Sequence, residues 1–343
     1  MRRFVTLVAM GMAAALTASC SVFGSEDDTV VLVTHDSFDY DVALFEQFTS
    51  DTGITVEVRK SGDAGALTNQ LVLTKAEPLG DLAFGVDNTF ASRALDEGVF
   101  SEYRSPEAEK GPNRYAIDDT GRLTAVDIGD VCVNVDPNAL VQKGLTPPTS
   151  FEDLADPKFK DMLVVSDPST SSPGLAFLAA TVAHYGAKSW LGYWTRLKAN
   201  GVKVVSGWEE AYTQEFSGSS GKGSRPLVVS YASSPAAELG PDGKPRTISL
   251  AATCFRQVEY AGILNNSDNA EKARAVLDLL LSEKFQSQVP EKMFVYPARE
   301  GVALPQSWAV AAPLPLEPMT LPSADIQANR ERWIESWRAV VRG

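Results

Sequence analysis

The sequence has few of the residues on which metal binding and catalysis most often depend. Its 343 residues include only two histidines and three cysteines, and no His-x-x-x-His or Cys-x-x-Cys motif occurs. A zinc site needs three or four nitrogen or sulfur ligands, which so few residues can hardly supply. The Gly-x-Ser-x-Gly nucleophile elbow and the Gly-x-x-x-x-Gly-Lys-Ser/Thr phosphate loop are also missing. We therefore expect no metal site, no cofactor and no enzymatic activity.

Basic residues are in the minority. The chain carries 31 Lys and Arg residues against 44 Asp and Glu residues, which gives a formal net charge of −13. A protein that binds the phosphate backbone of a nucleic acid needs a basic surface, so no nucleic-acid partner is expected. An acidic surface instead favours a cation. The hydrophobic content of 44% is that of a globular protein, and the length predicts two domains.

Only the N-terminus contains a long apolar run. Two arginines precede apolar residues at 4–16, and small residues then lead to Cys20. Because a transmembrane helix needs about 20 apolar residues, 1–20 is predicted to be a secretory signal. The residues before Cys20 resemble a bacterial lipobox, which predicts a lipid anchor at the outer face of the cytoplasmic membrane and a tether at 21–28. The alternative is an ordinary signal with an unrelated cysteine.

The other two cysteines lie in strand-like runs far apart in the chain. An exported protein occupies a compartment that permits disulfides, so Cys132 and Cys254 are candidates for a bridge. The alternative is two buried free thiols, which behave as small hydrophobic residues.

Strands and helices alternate along the chain, which predicts an α/β fold. The predicted strands are 30–34, 54–58, 82–86, 125–135, 162–166, 202–206, 226–231 and 251–263. The predicted helices are 40–51, 64–75, 88–97, 173–185, 187–199, 208–216, 270–280, 282–288 and 323–341. Since the runs 125–135 and 251–263 bracket a second α/β series, we expect two lobes. Lobe 1 comprises 29–127 with 258–298, and lobe 2 comprises 128–257 with 299–343.

Ligands of open α/β sheets bind at the carboxyl ends of the strands, and two such lobes place the site between them. The segments that follow the predicted strands are therefore the candidates for function: 35–38, 87–88, 167–173, 206–212 and 231–235. Trp208 and Tyr231 lie in these segments, and Phe294 precedes Val-Tyr-Pro. Aromatic faces with carboxylates suit a flat organic cation. For each ring the alternative is core packing.

Seven short strings follow one another along the chain: THDSF (34–38), FGVDN (84–88), DPSTSSPGLA (167–176), SGWEEAY (206–212), VVSYASSP (228–235), RQVEYAG (256–262) and VYP (295–297). In this order they resemble the strings of bacterial periplasmic thiamine-binding proteins, the substrate-binding subunits of thiamine ABC importers. The resemblance implies a type II periplasmic-binding-protein clamshell, in which two mostly parallel sheets flanked by helices are joined by two hinge strands. It implies a monomer that binds thiamine or its phosphates and delivers them to an ABC permease.

Carried over residue by residue, the resemblance implies the contacts of the site. Trp208 and Tyr231 would line the cleft, and Asp87 would supply an acid to the aminopyrimidine or the thiazolium. Ser171, at a helix N-terminus, would bind the hydroxyethyl end or a phosphate. His35 stands where relatives often have Tyr, which would make its charge sensitive to pH. The remaining candidates are Asp36 and Phe294, with Asp127, Asp130, Ser172 and Tyr212 as secondary ones.

The sequence also departs from that pattern. Phe294 stands where a Trp is expected, and Ala237 where relatives carry a further Tyr. Cys132 and Cys254 replace other residues on the two crossover strands, where a bridge would leave the lobes free to rotate. A binding protein of the same fold for another organic cation, a polyamine or ferric ion therefore stays open, although Ala232 after Tyr231 disfavours iron. An exported hydrolase is the third alternative.

Overall fold

The computed structural model describes residues 28–219 and 223–343 of the chain. The predicted signal at 1–20, the lipidation site Cys20 and most of the tether at 21–28 therefore lie outside the described residues. None of the helices in the described ranges combines the length and the apolar character that a membrane span requires.

The strands form two sheets, one in each predicted lobe. In chain order the strands are β1 Thr29–Thr34, β2 Thr55–Lys60, β3 Leu82–Asp87, β4 Thr124–Ile128, β5 Val131–Val135, β6 Leu163–Ser166, β7 Lys203–Val205, β8 Leu227–Tyr231, β9 Ile248–Phe255, β10 Val258–Ile263 and β11 Tyr296–Pro297. The first sheet has the order β11-β4-β10-β3-β1-β2, and the second has the order β7-β6-β8-β5-β9. Each predicted strand overlaps an observed one, and β11 is an addition.

Both sheets are mixed, which corrects the expectation of mostly parallel sheets. β1 pairs in parallel with β2 and β3, and β6 pairs in parallel with β7 and β8. The other pairings are antiparallel, because β4, β5, β9 and β10 carry the chain between the lobes and return it in the opposite direction. The βαβ units predicted from the apolar runs supply only the parallel part.

Helices cover the faces of both sheets. They are α1 Val42–Thr52, α2 Ala64–Leu73, α3 Ala91–Asp96, α4 Pro137–Val141, α5 Phe151–Leu154, α6 Ser172–Tyr185, α7 Trp190–Ala199, α8 Ala270–Leu281, α9 Glu283–Lys292, α10 Trp308–Ala311 and α11 Ser323–Val341. Asp41 and Asp63 cap the N-termini of α1 and α2 through their side chains. The segment predicted as a helix at 208–216 forms the π-helix Glu210–Glu215.

Tryptophans of the C-terminal helix pack in the core. Trp333 and Trp337 of α11 are buried, and the Trp337 ring meets the Trp194 ring of α7 edge-on at 5.7 Å. Edge-to-face contacts of this kind stabilise aromatic pairs beyond the area that they bury.

Two short crossings connect the sheets. The chain passes from β4 to β5 through Gly129 and Asp130, and it returns from β9 to β10 through Arg256 and Gln257. The crossings are tied to each other, because the Gly129 N–H donates to the Gln257 carbonyl at 3.1 Å and the Arg256 guanidinium forms an ion pair with Asp130. This geometry gives the hinge a defined position between the sheets.

A disulfide joins Cys132 of β5 to Cys254 of β9. Both cysteines are buried, and both belong to the second sheet. The bond therefore ties together the strand by which the chain enters the second sheet and the strand by which it leaves that sheet, and it does not bridge the two sheets.

We predict that this disulfide forms in the exported protein and stabilises it. It closes a sequence separation of 122 residues, and a loop of that size lowers the entropy of the unfolded chain enough to contribute about 2–5 kcal/mol. Replacing Cys132 and Cys254 together by Ala should lower the free energy of unfolding in urea by that amount. In protein lacking residues 1–20, two reactive thiols in the unfolded, unreduced chain would contradict the prediction.

Candidate functional site

A cleft between the two sheets collects the segments that follow the strands. The first lobe supplies residues after β1 and β2, and the second supplies residues after β6, β7 and β8. Parallel strands of both sheets thus point their carboxyl ends into one cleft, which is where open α/β sheets bind ligands. The expectation that the site lies between two lobes agrees with this arrangement.

Two adjoining cavities fill the cleft, with volumes of about 450 Å³ and about 160 Å³. The larger volume lies within the range of about 300–1,000 Å³ that is typical of small-molecule sites. Both cavities are lined by His35, Ser37, Trp208, Glu209, Tyr231 and Glu259. The larger cavity adds Asp36, Asp63, Thr170, Glu210 and Gln214, and the smaller one adds Tyr212, Ser234, Ala237, Lys292 and Phe294.

Aromatic rings form the wall that the two cavities share. The Trp208 ring stacks on Tyr212, with centroids 5.1 Å and planes 16° apart, and its centroid lies 5.9 Å from that of Tyr231. The Trp208 indole N–H donates to the Ser230 hydroxyl at 2.8 Å, which fixes the ring. The π-helix after Trp208 holds the ring over Tyr212, and such local widening of a helix is frequent at functional sites.

His35 completes the cavity wall on the side of the first lobe. Its ring packs 5.4 Å from the Phe84 ring, and Gly85 makes room for it, because a Cβ there would lie 2.2 Å from the His35 ring. Burial, helped by the charge of Lys60, lowers the pKa of His35 to about 4. His35 is therefore a neutral ring at physiological pH, which corrects the expectation of a pH-sensitive charge.

The lining of the larger cavity is strongly acidic. Asp36, Asp63, Glu209, Glu210 and Glu259 all border it, and no lysine or arginine of the described residues does. Lys292 borders only the smaller cavity. Clustered carboxylates with little compensation attract a cation into such a cleft.

Three carboxylates lie side by side under the cavity floor. Glu259 of β10 is directly opposite Asp87 of β3 on one side and Asp127 of β4 on the other. All three are buried, and within the described chain no lysine or arginine forms an ion pair with them. The nearest basic nitrogen is Nε2 of the neutral His35, 3.7 Å from a Glu259 oxygen.

Burial and mutual repulsion change the acidity of this group. Burial raises the pKa of Asp127 to about 8. Burial, together with the charges of Asp127 and Asp87, raises the pKa of Glu259 well above its usual value. Asp127 therefore favours its protonated form at neutral pH, and the ionised form of Glu259 is disfavoured unless a positive charge lies beside it.

The structure does not place every predicted acid at the cavities. Asp87 is fully buried, and one of its oxygens accepts the N–H groups of Thr89 and Phe90 and the Thr89 hydroxyl. It therefore shapes the turn before α3 and borders neither cavity, and its contact with a ligand stays a prediction. Asp127 lies behind Glu259, and Asp130 is neutralised by Arg256 in the hinge.

The two serines at the start of α6 are also buried. Ser171 and Ser172 border neither cavity, and the contact of Ser171 with a ligand stays a prediction. The Ser172 N–H instead donates to the Asp63 carboxylate at 3.3 Å. The free N–H groups expected at this helix N-terminus are thus partly taken by a side chain of the other lobe.

Among the five acids that border the cavities, four are not singled out as site residues by the sequence: Asp63, Glu209, Glu210 and Glu259. Glu209, Glu210 and Glu259 belong to the strings SGWEEAY and RQVEYAG, and Asp63 follows Ser61 and Gly62 at the end of β2. Asp63 also follows a strand, β2, so the position of functional residues after strands could have indicated it.

The sequence and the fold have relatives among known proteins. The family model described as bacterial extracellular solute-binding protein matches residues 77–317. The chain is 27% identical over 322 residues to a thiamine-binding periplasmic protein of Brucella suis, and the match covers 92% of each chain. It is 27% identical over 319 residues to a protein of the same name from Escherichia coli, which covers 91% of this chain and 93% of that one.

A solved structure shares the architecture. The structure titled periplasmic thiamin binding protein superposes with a TM-score of 0.81 at 25% identity, over 91% of this chain and 96% of that chain. The two-lobed clamshell expected from the sequence is thereby confirmed.

Proposed function

The chain belongs to the bacterial extracellular solute-binding proteins, and from that premise we propose that it binds thiamine in the cleft for import by an ABC permease. The family gives the general role: an exported protein that binds a small solute and passes it to a membrane permease. Two observations support thiamine as the solute: the chemistry of the cleft and the names of the relatives.

One observation carries the proposal: stacked aromatic rings face a set of uncompensated carboxylates. Thiamine combines two flat rings with the permanent positive charge of its thiazolium. Trp208 and Tyr231 offer the ring faces, and each well-placed ring contributes about 0.5–2 kcal/mol to the binding of a cation. Glu259 offers the counter-charge at the cavity floor.

The proposed mechanism has no chemical step. Ring and carboxylate contacts come from both lobes, so the complete set forms only when the lobes are closed. A ligand that binds the closed form more tightly shifts the population toward it. The permease would then recognise the closed form and receive the vitamin unchanged.

The other ligands considered above fit the cleft less well. In the described residues no cluster of His, Cys, Asp and Glu is arranged to hold a metal ion, which argues against ferric ion. A polyamine would satisfy the carboxylates, but it has no flat surface for Trp208 and Tyr231. The aromatic wall therefore supports a ring cation over a polyamine.

Titration calorimetry with thiamine, spermidine and ferric citrate tests the proposal. Thiamine should bind, and Trp208→Ala should weaken its binding about tenfold, which corresponds to about 1.4 kcal/mol. Trp208→Phe keeps an aromatic face and should bind several-fold more tightly than Trp208→Ala. Tighter binding of spermidine or ferric ion than of thiamine would reject the proposal.

Binding should also release a proton and strengthen with pH. Because the raised pKa values of Asp127 and Glu259 keep protons on the pair at neutral pH, a cation beside Glu259 must displace one. If one proton is fully released, affinity rises by up to about tenfold per pH unit. Calorimetry between pH 6 and 8 measures this directly.

Glu259→Gln removes one member of the titrating pair and should reduce the pH dependence while weakening binding about tenfold at pH 8. Glu271→Gln, on the exposed start of α8, is the matched control and should behave as the native protein does. An affinity of the native protein that is equal at pH 6 and pH 8 would refute the role of Glu259 as counter-ion.

We further propose that a lipid on Cys20 anchors the protein to the membrane. The support is the sequence alone: a basic head, an apolar run too short to span a bilayer and small residues before the cysteine. When the full chain is produced in bacteria, it should partition into the detergent phase, and Cys20→Ala should shift it to the aqueous phase. Detergent partitioning that is the same for both would disprove the anchor.

A further inference from the structure

We propose that Asp63 is a positioning residue, which fastens the two lobes together in the closed state and holds Trp208 in place for the ligand. The inference rests on the proposed function in so far as Trp208 stacks on thiamine. The fastening itself concerns only the two lobes.

The Asp63 carboxylate spans the cleft. Asp63 caps the N-terminus of α2 in the first lobe and accepts the Ala64 N–H at 2.7 Å. Its two oxygens also accept main-chain N–H groups of the second lobe, from Trp208 at 2.9 Å and from Ser172 at 3.3 Å. One side chain therefore connects the start of α2 with two loops of the opposite lobe.

The neighbouring backbone repeats this contact. The Ala66 N–H of α2 donates to the Thr170 carbonyl of the second lobe at 3.1 Å. Gly65 permits this approach, because a Cβ at that position would lie 2.7 Å from the Thr170 carbonyl carbon. The first turn of α2 is thus seated against the loop that leads into α6.

The charge of Asp63 suits both of its partners. A carboxylate that accepts main-chain N–H groups makes hydrogen bonds roughly twice as strong as neutral ones. Ser172 opens α6, a helix of 14 residues whose positive N-terminal end favours an anion. An uncharged side chain of the same shape would keep the geometry and lose most of this attraction.

The same contact fixes the aromatic wall. The Trp208 main-chain N–H is bound by Asp63 of the first lobe, and its indole N–H is bound by Ser230 of the second. Closing the lobes therefore adds a second contact, at the main chain, that holds Trp208 at the cavity. Loss of the Asp63 contact should let a bound ligand escape faster without slowing its entry.

The test compares Asp63→Asn with Asp41→Asn. Asn caps a helix about as well as Asp, so both variants keep a helix cap and lose one charge. Asp41 caps α1, and its hydrogen bonds with Ala43 and Gln288 stay within the first lobe. Small-angle X-ray scattering of the ligand-free protein measures closure, and stopped-flow fluorescence with thiamine measures the two rate constants.

Asp63→Asn should increase the radius of gyration and raise the dissociation rate of thiamine at least tenfold, with an association rate within about twofold of the native one. Asp41→Asn should match the native protein in all three. An unchanged radius of gyration and an unchanged dissociation rate in Asp63→Asn would overturn the proposal.

A second variant, Gly65→Ala, tests the fastening independently in case Asp63→Asn folds poorly. Gly65→Ala leaves Asp63 intact and places a methyl group against the Thr170 backbone, so it should also increase the radius of gyration. A radius equal to that of the native protein would count against the fastening. If no thiamine binds to the native protein, the proposed function fails, while the scattering still decides whether Asp63 fastens the lobes.

Discussion

The site depends on a row of buried carboxylates that no basic side chain of the described residues neutralises. Asp87, Glu259 and Asp127 occupy adjacent positions on β3, β10 and β4, and Glu259 opens into the cavity. Burying negative charge without a partner is costly, and part of this cost is avoided when Asp127 and Glu259 share a proton. A cationic ligand beside Glu259 would displace that proton. The preference of the site for a cation is therefore a consequence of these three buried carboxylates in the first sheet.

The hinge beside these carboxylates contains an acid that does have a basic partner. β4 and β10 belong to the crossings between the lobes, and next to them Asp130 does have its partner, Arg256. Asp130 is thus paired within the hinge, whereas Glu259 borders the cleft and has no lysine or arginine partner among the described residues. The disulfide between β5 and β9 holds the other side of the crossings together. Rigid crossings allow the lobes to move as bodies about one place, and a cleft between such bodies can close over a ligand.

Much of the fold was predictable because it rests on local patterns. Continuous apolar runs marked β1, β3, β6 and β8, and strand-to-helix alternation indicated two lobes. The mixed character of the sheets was not predictable in this way, because the direction of β10 depends on which lobe the chain returns from. The sequence predicts that the helix at 282–288 ends before Pro290, whereas α9 continues through Pro290 to Lys292. Strand ends and family resemblance single out Trp208, Tyr231, Tyr212 and Phe294, and the structure places these rings at the cavities. The predicted acid Asp36 borders the larger cavity as well, whereas Glu259 lies where Asp87 was expected, because a cavity-facing acid and a buried acid are distinguished only by sheet register and local hydrogen bonds.

The central claim is that the rings and carboxylates of this cleft hold one flat organic cation. A crystal structure of the protein grown with thiamine tests it most directly. We expect the ligand between the two lobes, with a ring against Trp208 or Tyr231 and the thiazolium within contact distance of Glu259. A closed cleft that holds no thiamine, or thiamine bound only outside the cleft, would contradict the account.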